Sequence, residues 1–312
     1  MRILVVGAGA VGGYFGGRLA QAGRDVTFLV RAKRAEELKA KGLQIISPYG
    51  DLTLRPKTVS ASEIAAPYDV ILLSVKSYSL ASAMDDFGAA VGPETMIVPA
   101  LNGMRHMDLL AQRFGERAVL GGVCMVASEV DGEGRIRQLT NFQSLAYGEV
   151  DGEVTPRVQA LDETLRGAGF DASISRDILR DMWRKWVLLA TLGALTCLLR
   201  GNIGEIASAP GGADLSLEAL HECAGIASAH GYSQAEAFLK EQTSKLTAEN
   251  SQLTSSMYRD LKKGAPVEAD TILGDLIDRG RRYGIAMPIL RAAYVSLSIY
   301  QRGLDRAKTA AS

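Results

Sequence analysis

Cysteine is scarce in this sequence, and the three that occur, Cys124, Cys197 and Cys223, are widely spaced. The odd total and the lack of any Cys-x-x-Cys pair exclude a disulfide framework and a cysteine-based zinc site. The histidines also lack the spacing of metal ligands, so we predict no metal site. This cysteine usage is typical of a reducing compartment, and the first residues lack the pattern of a signal peptide, so we expect a cytoplasmic protein.

The sequence also lacks an excess of charge of either sign, with 35 basic and 35 acidic residues. A nucleic-acid partner is therefore not expected, because it would require a basic surface. The longest apolar run, Val187 to Leu199, has about 13 residues, whereas a helix that spans a membrane needs roughly 20. We predict that this run is a buried helix and that the protein has no membrane partner.

Short apolar runs alternate with helical patterns through the first half of the chain. The strand-like runs are Arg2–Val6, Val26–Val30, Val70–Val75, Met96–Leu101, Val119–Val126 and Ser144–Tyr147. Such alternation predicts an α/β fold with a doubly wound parallel sheet, as in a Rossmann domain. The segment 130–142, rich in glycine and charge, is predicted to be an antiparallel hairpin at the edge of that sheet.

Strand patterns end near Ser175, and helical patterns continue from there. The predicted helices are 176–200, 215–230, 235–246, 250–262, 266–283 and 288–303. A chain of 312 residues suits two domains. We therefore predict a Rossmann domain over residues 1–174 and an all-α domain over residues 175–312.

A glycine-rich turn follows the first strand and opens the first helix. Gly7, Gly9 and Gly12 form the pattern G-x-G-x-x-G, and Ala10 and Val11 lie between the last two glycines. The glycines allow a tight turn, close approach of a diphosphate to the backbone and close helix-strand packing. Because the turn lies between a strand and a helix, it predicts dinucleotide binding at the N-terminus of that helix.

The end of the second strand indicates which dinucleotide binds. An NAD enzyme carries a carboxylate there for the ribose 2′-hydroxyl, whereas this chain has Arg31, followed by Lys33 and Arg34. A guanidinium can pair with a 2′-phosphate through two parallel hydrogen bonds, so Arg31 favours NADP as the cofactor. The alternative is that these cations are a solvated helix start.

Further motifs occur along essentially the whole chain. They are GAGAVGG at 7–13, SVKSYS at 74–79, LNGM at 101–104, MWRKWV at 182–187, SSMYRDL at 255–261 and PVEAD at 266–270. In this order and spacing the chain resembles the ketopantoate reductase (2-dehydropantoate 2-reductase) family. The resemblance implies an NADP-dependent oxidoreductase of the class that acts on CH-OH groups, which reduces a small 2-keto acid to the 2-hydroxy acid.

The resemblance also implies the catalytic residues. Lys185 corresponds to the catalytic lysine, whose ammonium would stabilise the charge on the reduced carbonyl oxygen and deliver a proton. Glu268 corresponds to the carboxylate beside that lysine, and Asn102 faces the cofactor and the substrate. Without the family, Lys185 is an ordinary helix lysine and Asn102 begins an Asn-Gly turn. Glu268 then suits the first turn of a helix with Pro266 at its first position.

Two more residues are implied as binding residues. Lys76, after a middle strand, would face the cofactor, with a solvated surface lysine as the alternative. Ser256 corresponds to a serine that binds the substrate carboxylate, with a solvated helix position as the alternative.

The sequence departs from the family at several substrate-binding positions. Leu189 and Gly193 lie on the helix face of Lys185, where the family has asparagines, and Leu273 and Leu290 replace two more. A buried hydroxyl without partners costs about 1–3 kcal/mol. The pocket is therefore predicted to be less polar than that of a ketopantoate reductase.

The leading hypothesis is reduction of ketopantoate, or of a related less polar 2-keto acid, with NADPH. An imine reductase of the opine type and a non-catalytic, NADP-responsive binding module remain as alternatives. The assembly that we expect is a homodimer through the helical domain.

Overall fold

The computed structural model describes residues 1–311, apart from the side chains of residues 308, 310 and 311. Within that range the chain forms two compact units. The first contains Met1–Leu101 and His106–Met182, and the second contains Asn102–Arg105 and the chain from Trp183 onward. The sequence predicts a division after residue 174 and a second domain that ends at residue 312, which lies outside the described residues.

The strands lie in the first unit. They are β1 (Arg2–Val6), β2 (Asp25–Leu29), β3 (Leu43–Ile46), β4 (Leu52–Leu54), β5 (Lys57–Val59), β6 (Val70–Leu73), β7 (Met96–Pro99), β8 (Gly121–Val130), β9 (Ile136–Gly148) and β10 (Asp171–Ile174). Five of them form a parallel sheet in the order β5-β2-β1-β6-β7, which confirms the predicted parallel sheet. The connections diverge between β1 and β6, and open α/β sheets bind ligands beside such a point.

The carboxyl ends of the central strands are aligned. Val6 of β1 pairs with Leu29 of β2 and with Leu73 of β6, and Leu73 pairs with Pro99 of β7. These strands are apolar on both faces because the sheet is covered on both sides. The residues that follow the strands therefore begin at the same edge of the sheet.

A second, mixed sheet differs from the prediction. Its order is β10-β9-β3-β4, with β8 paired to β9. From Gly121 onward the predicted strands at 119–126 and 144–147 lie here as parts of the antiparallel pair β8–β9, so their assignment to the parallel sheet is wrong for these residues. Only Val119 forms a parallel bridge with Ile97 of β7 within the described residues of that run. A parallel pair needs a crossover of a dozen or more residues, whereas only residues 131–135 join β8 to β9. The antiparallel hairpin is confirmed, but β9 is an interior strand of a second sheet.

The first unit also contains five α-helices. They are α1 (Ala10–Gln21), α2 (Ala32–Lys41), α3 (Leu80–Phe87), α4 (Arg105–Phe114), whose first residue belongs to the second unit, and α5 (Pro156–Leu165). Helix α1 packs between the two sheets at glycines. A Cβ atom at Gly16 would lie 2.7 Å from Phe28 of β2, and one at Gly17 would lie 2.7 Å from Ile45 of β3. Larger residues at these positions would push the helix away from a sheet.

The second unit is all-α in the part that the structure describes, as the sequence predicts. Its helices are α6 (Ile178–Leu199), which begins in the first unit, α7 (Ile203–Ala207), α8 (Gly212–Ala229), α9 (Glu236–Leu246), α10 (Ser256–Lys262), α11 (Asp275–Arg281) and α12 (Pro288–Ala311). A π-helical turn at Asp270–Gly274 leads directly into α11.

Helix α6 carries the longest apolar run of the sequence. Among residues 1–311 it is the one helix long and apolar enough to cross a membrane, but 67% of its most apolar window is buried inside the protein. The core helix of a soluble protein meets the same criterion, so the length and hydropathy of α6 are weak evidence for a membrane span.

Candidate active site

The glycine turn has the geometry that a dinucleotide requires. Gly7, directly after β1, has a φ of +100°, which favours glycine. A Cβ atom at Gly12 would lie 2.2 Å from the Gly7 carbonyl oxygen and 2.0 Å from the Ser74 hydroxyl oxygen, so only glycine fits there. In contrast, no atom beyond Gly9 and its chain neighbours lies within 4 Å of the position of a Cβ atom at Gly9. That open space is where a ligand could approach the backbone.

Helix α1 presents its first N–H groups beside this turn. The helix starts at Ala10, and the hydrogen bond from the Gly13 N–H to the Gly9 carbonyl, at 2.8 Å, closes its first turn. The N–H groups of Ala10 and Val11 precede that bond, and such groups lack partners within their helix. With the positive end of the helix dipole they suit the diphosphate of a dinucleotide.

Ser74 connects the glycine turn to the end of β6. Its hydroxyl donates to the carbonyl oxygens of Val6 at 3.0 Å and Gly7 at 3.1 Å. Lys76 follows two residues later, half-buried, and precedes a 3₁₀ turn at Ser77–Ser79. Because Val6 and Leu73 are paired, Lys76 follows the same sheet edge as the glycine turn.

Two arginines lie near the end of β2. Arg31 is the N-cap residue of α2, and its exposed guanidinium donates to the Ser82 hydroxyl at 2.9 Å and lies 3.8 Å from the Asp86 carboxylate. Arg34 is more buried, and its Nε donates to the Ala8 carbonyl oxygen within the glycine turn at 3.2 Å. In the sequence Arg34 belongs to a basic run, and no local pattern predicts its contact with Ala8.

In the second unit Lys185 lies on α6, and in the sequence it stands between two buried tryptophans. Trp183 and Trp186 have ring centroids 4.9 Å apart, and Lys185 itself is half-buried. The Trp186 indole N–H donates to the carbonyl oxygen of Ile272 at 2.9 Å, in the π-helical turn. Lys185 is therefore adjacent to a fixed contact between α6 and that turn.

Glu268 precedes the same turn but is not where the sequence predicts. The helix begins at Ala269 instead of Pro266, so the prediction that Glu268 lies in a first helical turn is wrong. The Val267 N–H donates to the Gln301 side chain of α12 at 3.2 Å, which holds this segment outside the helix. The carbonyl of Glu268 accepts the Ile272 N–H at 3.0 Å. Its side chain is buried, with 8% of the residue exposed.

Asn102 belongs to the second unit through the segment 102–105. The next residue, Gly103, has a φ of +80°, and a Cβ atom there would lie 2.7 Å from the Thr271 carbonyl oxygen. The Asn-Gly pair therefore packs closely against the π-helical turn. Trp186, next to Lys185, and Gly103, next to Asn102, thus contact the same π-helical turn. This turn starts two residues after Glu268.

The residues expected to bind substrate lie on α6 and α10. Ser256 is the first residue of α10 and half-buried, while Ser255 caps that helix and shares a hydrogen bond of 2.8 Å with the Thr196 hydroxyl. A Cβ atom at Gly193 would lie 2.8 Å from the Met257 methyl group. Position 193 of α6 therefore contacts the residue after Ser256.

The leucines that replace family asparagines fall into two groups. Leu189, one turn after Lys185, is half-buried, so part of its side chain reaches the surface of the unit. Leu273 and Leu290 are completely buried, with 0% exposure. These two pack in the core of the second unit.

The three cysteines are all buried. Burial raises the pKa of the Cys197 thiol to about 11 and that of Cys223 to about 12, so both stay protonated at neutral pH. Cys124 is also buried and forms no disulfide. No group of three or more His, Cys, Asp or Glu side chains within residues 1–311 could hold a metal ion.

Two family models match this chain over most of its length. Ketopantoate reductase PanE/ApbA matches residues 3–152, and Ketopantoate reductase PanE/ApbA C terminal matches residues 177–301. The chain belongs to the ketopantoate reductase family. The family predicted from the motifs is confirmed, and the fold class agrees with it.

Individual relatives cover nearly the whole chain. The uncharacterized oxidoreductase YkpB of Bacillus subtilis (strain 168) is 36% identical over 301 residues, which are 96% of this chain and 99% of that protein. The crystal structure of 2-dehydropantoate 2-reductase from Geobacter metallireducens GS-15 has a TM-score of 0.87 at 28% identity and covers 96% of this chain and 99% of that one. D-mandelate dehydrogenase, in a ternary structure with NADH and anilino(oxo)acetate, has a TM-score of 0.86 at 23% identity, with coverage of 98% and 100%, and so shares the fold.

Membership in this family establishes the class of reaction. Ketopantoate reductases are oxidoreductases that act on CH-OH groups, so the prediction of an oxidoreductase is confirmed. The chemistry is the reduction of a 2-keto acid, a small molecule, as in ketopantoate reductases.

Proposed function

We propose that this protein uses NADPH to reduce a small 2-keto acid with an apolar side chain to the 2-hydroxy acid. The observation that carries the proposal is that residues adjacent to Lys185 and Asn102 contact the π-helical turn that follows Glu268. This arrangement supports a mechanism in which the Lys185 ammonium, the Asn102 amide and the Glu268 carboxylate act on one carbonyl group.

The glycine turn and the cations near it support NADPH as the cofactor. Gly7, Gly9 and Gly12 suit a diphosphate, and the segment after β2 has Arg31 where an NAD enzyme has a carboxylate. Lys76 adds a positive charge after β6. When bound, the nicotinamide supplies the hydride that the keto carbon accepts.

The protein's own groups handle charge and protons in this proposal. The Lys185 ammonium and the Asn102 amide hydrogen-bond the keto oxygen, and Lys185 transfers a proton to it as the new C–H bond forms. The buried Glu268 carboxylate orients the ammonium or the new hydroxyl group. Ser256 donates a hydrogen bond to the substrate carboxylate.

The side chains along α6 favour an apolar substrate over ketopantoate. Leu189 is half-exposed one turn from Lys185, and Gly193 offers no polar group. Neither can hydrogen-bond the hydroxyl group of ketopantoate, and an unpaired buried hydroxyl costs about 1–3 kcal/mol.

An apolar stripe on α12 supports a homodimer through the second unit. Val295 is 57% exposed and Ile299 is 63% exposed, and they line a shallow groove with Pro288 and Ala292. Light scattering on the wild type should give the mass of a dimer, and Ile299→Glu should give that of a monomer. A monomeric wild type would contradict this assembly.

A substrate panel tests the proposed activity. Ketopantoate and 2-keto acids with aliphatic or aromatic side chains are assayed with NADPH and with NADH, each with and without an amine. Oxidation of NADPH by apolar keto acids alone is the expected result. A strict requirement for the amine would indicate an imine reductase, and nucleotide binding without oxidation of NADPH by any keto acid would indicate a binding module.

A further inference from the structure

Arg34 lies within the nucleotide-binding part of the first unit. It occupies the first turn of α2, and its Nε donates to the Ala8 carbonyl oxygen at 3.2 Å. One terminal nitrogen pairs with the Glu37 carboxylate at 3.0 Å. The guanidinium also reaches the Gly134 carbonyl oxygen in the β8–β9 hairpin, at 3.4 and 3.5 Å. It therefore lies between the glycine turn and the tip of the hairpin.

This position corresponds to the ribose subsite of a Rossmann domain. The residue that reads the ribose 2′ substituent follows β2 and lies beside the glycine turn, about 20 residues after it in the sequence. Arg34 follows β2 and touches Ala8 directly. Besides Arg31, a second guanidinium therefore lies in the region where an NAD enzyme binds the ribose 2′-hydroxyl.

The donors of Arg34 are held in place but not all used. A guanidinium has five N–H groups, and here the Nε bond to Ala8 and the pair with Glu37 fix its plane. The contacts of Nη2 and Nη1 with Gly134, at 3.4 and 3.5 Å, are long for hydrogen bonds and easily exchanged for a charged acceptor. With 22% of its side chain exposed, Arg34 loses less conformational freedom on binding an anion than Arg31, which is 71% exposed.

We propose that Arg34 is the principal residue that distinguishes NADPH from NADH in this protein, by donating to the 2′-phosphate from a position fixed by Ala8. Arg31 is the second cation, and its exposed guanidinium donates to Ser82 and lies 3.8 Å from the Asp86 carboxylate. This inference rests on the proposed function, since it assumes that NADPH is the cofactor.

Binding measurements on four proteins test the inference without turnover. Calorimetry gives the dissociation constants of NADPH, NADH, 2′,5′-ADP and 5′-AMP for the wild type, Arg34→Gln, Arg31→Gln and Lys33→Gln. Lys33 is exposed and adjacent to Arg34, so its variant controls for the loss of one positive charge from the same helical turn. Thermal unfolding without nucleotide shows whether each variant is folded.

Arg34→Gln should weaken the binding of NADPH and 2′,5′-ADP about 10- to 100-fold, as expected for the loss of one charge-assisted contact. The dissociation constants of NADH and 5′-AMP should change less than threefold. Arg31→Gln should show a smaller selective loss, and Lys33→Gln almost none. If Arg34→Gln weakened the binding of all four ligands equally, Arg34 would only shape the turn, and the inference would be overturned. A larger selective loss of NADPH affinity in Arg31→Gln than in Arg34→Gln would also overturn it. If the wild type itself does not prefer NADPH over NADH, the proposed cofactor is wrong, and the inference is overturned with it.

Discussion

The indole N–H of Trp186 donates a hydrogen bond to the carbonyl oxygen of Ile272 at 2.9 Å. This bond joins the helix that carries Lys185 to the π-helical turn that follows Glu268. In a π-helical turn the hydrogen bonds span five residues, and such turns are frequent at functional sites. We infer that this bond positions Lys185 relative to Glu268.

Trp186→Phe should therefore lower turnover more than it lowers NADPH affinity. The substitution keeps a buried aromatic ring but leaves the Ile272 carbonyl without its donor, which costs about 1–3 kcal/mol of stability. Steady-state kinetics and nucleotide titration measure the two effects. Trp183→Phe is the matched control, because it also shortens an aromatic ring of the same pair. An equal loss of turnover in both variants would contradict a positioning role of the Trp186 bond.

Two glycines of the turn should respond differently to the same substitution. Gly9→Ala places a methyl group in open space, so the free protein should unfold at the wild-type temperature while NADPH binding is lost. Gly12→Ala forces a methyl group against the Gly7 carbonyl and should destabilise the fold by about 1–3 kcal/mol. Calorimetric unfolding and nucleotide titration separate the two. Wild-type NADPH affinity in Gly9→Ala would show that no ligand approaches the turn there.

The sequence predicts the parts of the site that depend on local patterns. The unit β1-α1-β2 is recognisable because its apolar periodicity and Gly7, Gly9 and Gly12 lie within thirty consecutive residues. The helix that carries Lys185 follows from its apolar pattern in the same way. The antiparallel pairing of β8 and β9 is also predictable from the sequence, because the connection between them is too short for a parallel pair.

Other features depend on contacts between distant residues and leave no local pattern. Pro266 fits the first position of a helix, and only the bond from Val267 to Gln301 of α12 shows why the helix starts later. The contact of Arg34 with Ala8 joins residues 26 positions apart. The π-helical turn likewise contacts Trp186 and Gly103, which are distant in the sequence, so no local pattern predicts these contacts.

Leu189→Asn should shift the substrate preference towards ketopantoate. An amide at this position can hydrogen-bond the substrate hydroxyl, which should raise kcat/KM for ketopantoate relative to an apolar 2-keto acid about 3- to 10-fold. Leu188→Asn, at the adjacent half-buried leucine, is the control and should leave the ratio unchanged. A Leu189→Asn protein with the wild-type ratio would place this side chain outside the substrate site.

The end of α6 offers a prediction about stability. Arg200 is the one non-glycine residue with positive φ in the described chain, at 60°, and its carbonyl accepts the Tyr258 hydroxyl at 2.6 Å. A left-handed conformation costs an L-residue roughly 1–2 kcal/mol, so Arg200→Gly should stabilise the protein by up to about 1 kcal/mol after the entropy of glycine is subtracted. Chemical denaturation measures the change, with Arg200→Ala as the control. Destabilisation by glycine that exceeds that by alanine would contradict backbone strain at this position.

In the proposed reaction Lys185 protonates the carbonyl oxygen of the substrate. The most direct test compares turnover and NADPH affinity in the wild type, Lys185→Met and Arg184→Met, which removes a neighbouring exposed charge from the same helix. Lys185→Met should lower kcat by about 10²- to 10⁴-fold with an NADPH dissociation constant within twofold of the wild type, and Arg184→Met should change neither. A Lys185→Met enzyme that reduces the best 2-keto acid at the wild-type rate would contradict the account.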